Sequence, residues 1–369
     1  PSHPTLPLLR SWQTVEKHQK LLSTYTWPLL HHKRKVKKKG DPPDCSSVVL
    51  PLSATRGLAF PDWFPTPGPV KDGSGSDGGT LQGRITSKNP SSQTFPPIIK
   101  ACIQSRWPGG LILSIDLSQI ELRVAALLSG EPSLLSAYSQ KQDIHGRRAI
   151  AAWGERELLS RYPVLTGVPL DKWKSFSHHF DRRERQVGKR LNFADLFRAG
   201  AAKMQLSVYD DVGELFPLSF FQSIVDSRPS LRPRLYAWQS ALIETAHSKG
   251  YLEIPFTGQS RYFMGGDKFD ENEIVNCPVQ TTAGNLMLEL QAEISSHLPD
   301  PLLAHTSIHL FQNTYDALYL DIRHPSDVQW VKDLIASCFA RLSSPGGYWY
   351  LLQEHTGNTC PIAYDLTIH

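Results

Sequence analysis

Leu111-Ile112-Leu113-Ser114-Ile115-Asp116-Leu117-Ser118-Gln119-Ile120-Glu121-Leu122-Arg123 holds a change from one kind of local structure to another. The apolar run up to Ile115 predicts a buried strand that ends in the carboxylate of Asp116. From Leu117 to Leu128 the apolar spacing is helical, and Gly130 closes the segment as a C-terminal glycine. Ser118 and Glu121 fit the S-x-x-E capping box, so capping alone accounts for Glu121. Asp116 is harder to account for. A carboxylate at the end of a buried strand is costly unless paired, and a metal ion, an arginine or a helix N-terminus would each serve.

Two segments further along carry similar ambiguity. In 182–197, Arg185, Lys189, Phe193 and Phe197 recur every four residues and form one stripe on a helix. Cations on its first turns could take phosphates and a later ring could stack on a base. Taken alone, the stripe is better explained by an ordinary amphipathic helix, with Phe193 and Phe197 in the core and the cations in water. In 308–322, two strands flank Tyr315-Asp316, the second alternating Leu318, Leu320 and Ile322 with Tyr319 and Asp321. Turn chemistry alone explains an Asp at such a tip. If Asp116 and Asp316 met, they could clamp a pair of Mg²⁺ ions about 3.5–4 Å apart.

The rest of the chain sets bounds. Its 369 residues, 40% of them hydrophobic, suffice for one large mixed domain or two to three subdomains. A net charge of +4 is too mild to announce nucleic-acid binding, so any DNA site must come from local clustering. The five cysteines lie far apart with no CxxC pair, which argues against a zinc site and suits an intracellular reducing compartment. No apolar run spans a bilayer and no signal peptide is visible, so no membrane partner is expected. The start at Pro1 reads as an excerpt or a processed product. Residues 1–40 have helical spacing and end in a basic run, His31 to Lys39, suited to a solvated patch or to phosphate contacts. The Gly/Ser/Pro-rich stretch at 66–82 predicts a flexible linker loop.

Taken in order, the three segments resemble the polymerase motifs of family A DNA polymerases, the group of bacterial DNA polymerase I. DLSQIELR at 116–123 is similar to DYSQIELR, RERQVGKRLNF at 183–193 resembles R-x-x-x-K-x-x-x-F, and NTYDA at 313–317 stands where QVHDE is usual. The likeness extends to KLLSTY at 20–25, GRITSKNPSSQTFP at 83–96, DIH at 143–145, GYLEIPFTGQSRY at 250–262 and NCPVQTTA at 276–283.

The resemblance implies an α+β right-hand polymerase with an antiparallel-sheet palm, helical fingers and a partial helical thumb. It divides the chain into thumb 1–65, linker 66–82, palm 83–130, fingers 131–248 and palm with C-terminal segment 249–369. It implies template-directed DNA synthesis from primer-template DNA and dNTPs with two Mg²⁺ ions, and no proofreading exonuclease in this chain. By that likeness Asp116 and Asp316 hold the metals, and Glu121 crowds a ribose 2′-OH. Arg185 and Lys189 bind the triphosphate, Lys189 also giving a proton to pyrophosphate. His145 touches the phosphates, and Phe193 stacks near the incoming nucleotide. Phe193 lacks a hydroxyl, as in members that reject dideoxynucleotides. Arg84, Asn276 and Gln280 contact primer and template in the minor groove.

The departures are Leu117, Phe197, Arg198, Thr281, Tyr315 and Ala317, which replace the family's usual Tyr, Tyr, Gly, Gly, His and Glu. The missing hydroxyl at Phe197 bears on template-base positioning, and Ala317 removes a carboxylate beside the metals. Two alternatives follow: a degenerate palm that binds primer-template DNA without catalysis, and a single-subunit RNA polymerase. Glu121 speaks against the second.

Overall fold

The structure, a computed structural model, describes residues 62–64, 84–88, 91–169, 172, 182–255, 257–263, 270–298 and 306–369. The expected helix and basic run within 1–40, the thumb motif at 20–25 and the loop at 66–82 lie outside the described residues. In chain order the elements are β1 Asp62–Phe64, β2 Thr86–Lys88, α1 Pro97–Lys100, β3 Leu111–Leu117, α2 Ile120–Ser129, α3 Pro132–Ser139, α4 Ile144–Trp153 and α5 Glu155–Arg161. There follow α6 Arg182–Leu196, α7 Ala201–Val212, α8 Leu218–Leu231, α9 Pro233–Lys249, β4 Tyr251–Glu253, β5 Ser260–Tyr262 and α10 Glu271–His297. The last are β6 Ile308–Thr314, β7 Ala317–Ile322, α11 Val328–Leu342, α12 Tyr348–Thr356 and β8 Tyr364–Ile368. This is the expected α+β class, rich in helices and built with antiparallel strands. The chain divides into two compact units.

The first unit gathers Pro1–Asp116, Ser295–Lys332 and Leu366–His369. Its sheet has the order β6-β7-β3-β8, with β7 antiparallel to both β6 and β3. The edge strand β8 exchanges backbone bonds with β3 through Ile112 and His369, at 3.3 and 2.8 Å. Ile112, Leu113, Ile115, Leu318, Leu320 and Ile322 are buried, as their apolar runs predict. Asp321 departs from the expected polar alternation. It is buried and is held by the Arg106 guanidinium at 2.8 Å. Gln93 ties the segment before α1 to the end of β6: its amide accepts from Ser87 N and donates to Ile85 O and Asn313 O, all within 2.9 Å.

The second unit gathers Leu117–Ile294 and Asp333–Asp365. Along α6, Val187, Leu191 and Ala194 repeat at i, i+4 and i+7 and pack with Met204 and Val208 of α7 and Phe221 and Ile224 of α8. That buried face excludes Phe193 and Phe197, which are only half-buried, so the stripe at 185, 189, 193 and 197 is not the core face. On its other side α6 meets α4, where a Cβ on Gly188 would stand 2.3 Å from His145 O. Only glycine admits that approach.

The capping box at Ser118 and Glu121 does not form. Strand β3 runs on to Leu117, α2 starts at Ile120, and its N-cap is Gln119 in a left-handed conformation (φ 56°) with no side-chain cap. The Ser118 hydroxyl donates instead to Asp365 Oδ2 at 2.5 Å. Gly130 ends α2 at φ 62°, as the sequence predicts.

Candidate active site

In the first unit the sheet register brings the two aspartates to the same end of β3 and β7. Asp116 lies directly opposite Ala317 in the β3–β7 register, and Asp316 is the residue before Ala317 in the turn. Directly paired residues on adjacent antiparallel strands stand about 4.5–5.5 Å apart. Both side chains are exposed. The desolvation cost expected for Asp116 therefore does not arise, because its side chain faces solvent even though its neighbours Ile115 and Leu117 are buried. The turn is tight: Asp316 N donates to Thr314 O at 2.7 Å, and Tyr315 takes a left-handed φ of 59°. The Tyr315 ring lies under the Arg84 guanidinium, 5.5 Å from its centroid. One end of the sheet thus carries two carboxylates, with a cation on the ring beside them. Its donor set, two adjacent carboxylates with oxygen ligands only, suits hard divalent ions such as Mg²⁺.

In the second unit α6 and α4 assemble a cationic site. Asp143 caps α4 by accepting from His145 N at 3.2 Å and grips Arg185 with both oxygens, at 2.8 and 3.1 Å. Lys189 follows one turn later and is exposed. His145 is buried beside them, and Asn192 Nδ2 stands 3.0 Å from its Nδ1. Burial and the Arg185 charge push the His145 imidazole down to about 3, with Asp143 opposing. It is therefore neutral near pH 7, and a donating Asn192 leaves its proton on Nε2. Further along α6, Phe193 and Phe197 stack at 6.2 Å and line a cleft of about 350 Å³ with Arg190, Lys203, Asn272 and Asn276. The Oδ1 atoms of Asn272 and Asn276 are buried there without hydrogen-bond partners. Gln280 lies one turn beyond Asn276 on the same face of α10, and Glu121 lies in the first turn of α2.

A family model for DNA polymerase family A matches residues 72–159, the stretch that contains Asp116 and His145. The thermostable DNA polymerase I of Thermus filiformis is 29% identical over 259 residues, covering 66% of this chain and 27% of that protein. The DNA polymerase I of Synechocystis is 31% identical over 198 residues, or 50% and 16%. The chain is similar to DNA polymerase family A over these stretches. It spans about a quarter or less of the length of these family A relatives. A similar fold is seen in the POL domain of Pol1 from M. smegmatis, solved with DNA primer-template and dNTP. That domain matches with a TM-score of 0.58 at 15% identity, covering 85% of this chain and 48% of the solved one.

Several residues that hold these side chains in place were not singled out from the sequence. Asp143 carries a signal, since an Asp just before a helical run is a cap candidate, but its grip on Arg185 is a tertiary contact. Asn192 and Gln93 leave no periodic trace, because each acts through a side-chain amide reaching another element.

Proposed function

We propose that this chain is a template-directed DNA polymerase that extends a primer 3′ end with deoxynucleotides, using two Mg²⁺ ions held by Asp116 and Asp316. The observation that carries this is the β3–β7 register, which sets Asp116 opposite the residue that follows Asp316. Ions bound there would neutralise charge on the attacking and leaving oxygens of phosphoryl transfer. The first unit's sheet serves as palm and the helices of 131–248 as fingers. Arg185 and Lys189 receive the triphosphate: Arg185 as a planar fork pre-aimed by Asp143, Lys189 as a mobile point charge that can also protonate pyrophosphate. His145, neutral and protonated on Nε2, contributes a hydrogen bond to a phosphate rather than a charge.

The Phe193 face takes the incoming nucleotide and Phe197 the region of the template base, where the unpartnered amide oxygen of Asn276 offers an acceptor to a base edge. Arg84, Asn276 and Gln280 contact the primer-template minor groove, which reports pairing without reading sequence. Glu121 sets a carboxylate against a ribose 2′-OH and selects deoxynucleotides.

Primer extension with Mg²⁺ and dNTPs, run beside Asp316→Asn and Asp116→Asn, tests the proposal. Extension should fall by at least about 10²-fold in each variant, the size of loss when a transition-state charge stabiliser is removed. Tight primer-template binding by the unaltered chain without extension would leave a DNA-binding module. Incorporation of ribonucleotides in preference to dNTPs would point to RNA synthesis.

A further inference from the structure

Two segments of the first unit meet beside Asp316 and are joined there at two points. One joint is polar. Gln93 Nε2 donates to Ile85 O at 2.8 Å and to Asn313 O at 2.9 Å, and its Oε1 accepts from Ser87 N at 2.9 Å. The other is a cation over a ring. The central carbon of the Arg84 guanidinium stands 5.5 Å from the centroid of the Tyr315 ring, inside the about 6 Å over which such pairs attract. Arg84 precedes Ile85, and Tyr315 lies two residues beyond Asn313, so the joints are neighbours on both segments. Tyr315 holds a left-handed φ of 59°, which a bulky residue rarely adopts, and Asp316 follows it directly. Backbone of this kind persists where its surroundings over-determine it, and it collects at functional sites. Histidine, usual here in the polymerases that this segment resembles, carries a partial positive charge near neutral pH that opposes a guanidinium. A phenol ring has no cationic form, and its face attracts a cation.

We propose that Tyr315 is a positioning residue, whose ring holds Arg84 against the minor-groove edge of the primer's last base pair. This deepens the polymerase reading above and rests on its placing of the primer terminus at this end of the sheet. Metal ions held by Asp316 would act on the primer 3′-OH, and Arg84 is fastened to the residue next to Asp316. The ring occupies one side of the guanidinium, which carries five N–H donors in its plane. Each base pair offers an acceptor in the minor groove, a purine N3 or a pyrimidine O2, and a mispaired base displaces it. The ring therefore ties a test of pairing to the turn that carries Asp316. A lone arginine would sample many rotamers. Stacked on Tyr315, Arg84 has lost that freedom before DNA arrives, so less ordering is left to oppose binding.

The test is equilibrium binding of the whole chain to primer-templates whose primer ends in guanine or in 3-deazaguanine, which has C–H in place of the N3 acceptor. The unaltered chain should bind the deaza primer about tenfold more weakly, as for a lost charge-assisted hydrogen bond. Tyr315→Leu and Tyr315→Met, which lack a ring, should bind the two primers nearly alike. Tyr315→Phe should keep the difference. The quantity read is a ratio within one protein, so a destabilised variant loses signal amplitude and keeps its ratio. A purely structural role for Tyr315 would weaken binding of both primers equally and leave the ratio as it was. The proposal is overturned if the unaltered chain binds both primers alike, if the ring-less variants keep the full difference, or if Tyr315→Phe loses it. Binding needs no chemistry, so primer extension judges the polymerase reading separately. No extension with the difference intact strikes that reading and leaves Tyr315 its role, whereas extension without the difference strikes the role alone.

Discussion

His145 is held uncharged by its surroundings. Its imidazole is lowered from 6.5 to about 3, first by burial and then by the Arg185 charge. A group depressed in this way contributes stability that is fully present above 6.5 and is lost as pH falls toward the folded value. Ring ¹⁵N shifts of His145 should stay flat through pH 6.5, and the fold should weaken between there and about 3. Asp143→Asn should separate two effects. Removing the carboxylate's charge frees Arg185 from its two-point grip and takes away what opposes the lowering of His145. The expected result is weaker dNTP binding by about 10-fold, read as KM, with the His145 ring still neutral.

At the scale of elements, α4 and α6 are joined by a close approach and a buried ion cluster. Gly188→Ala gains up to about 1 kcal/mol of helix propensity but drives a methyl into the His145 carbonyl. The net effect should be a loss of roughly 1–3 kcal/mol in urea denaturation, as for other overpacked contacts. Asp195→Asn leaves three buried guanidiniums without their anion and should cost about 3–5 kcal/mol by the same measurement. Burial raises the Asp195 carboxyl, but Arg148, Arg232 and Arg228 outweigh it and hold it below 3.8. This contribution is therefore present above pH 3.8 and fades below it. What the sequence disclosed at this scale follows from periodicity. The strands at 308–314 and 317–322 and the end of α2 at Gly130 stand where their patterns put them. The capping box failed because β3 ran on past Asp116, and a sequence pattern does not say where a strand stops pairing. The Asp195 cluster left no trace because its members come from α4, α6 and the α8–α9 junction, and no spacing links them.

At the scale of the molecule, β3 is sandwiched between β7 and the C-terminal strand β8, and Ser114 Oγ meets His369 Nε2 at 3.0 Å. Removing Leu366–His369 strips a backbone ladder from the strand that carries Asp116. Primer extension should drop further than primer-template affinity does, because register at the sheet, rather than charge, is what is lost. The first unit also draws on three separate stretches of chain, with all of Leu117–Ile294 lying between its two aspartates. This sets an order in time. At about 5–20 residues per second on the ribosome, Asp116 emerges on the order of ten seconds or more before Asp316 can reach it. Meanwhile the local helical contacts of the intervening stretch can already form, whereas pairing β3 with β7 must close a very long loop. The carboxylate pair is therefore assembled late, and a nascent chain stalled before β7 holds half of the proposed metal site on an unpaired strand edge.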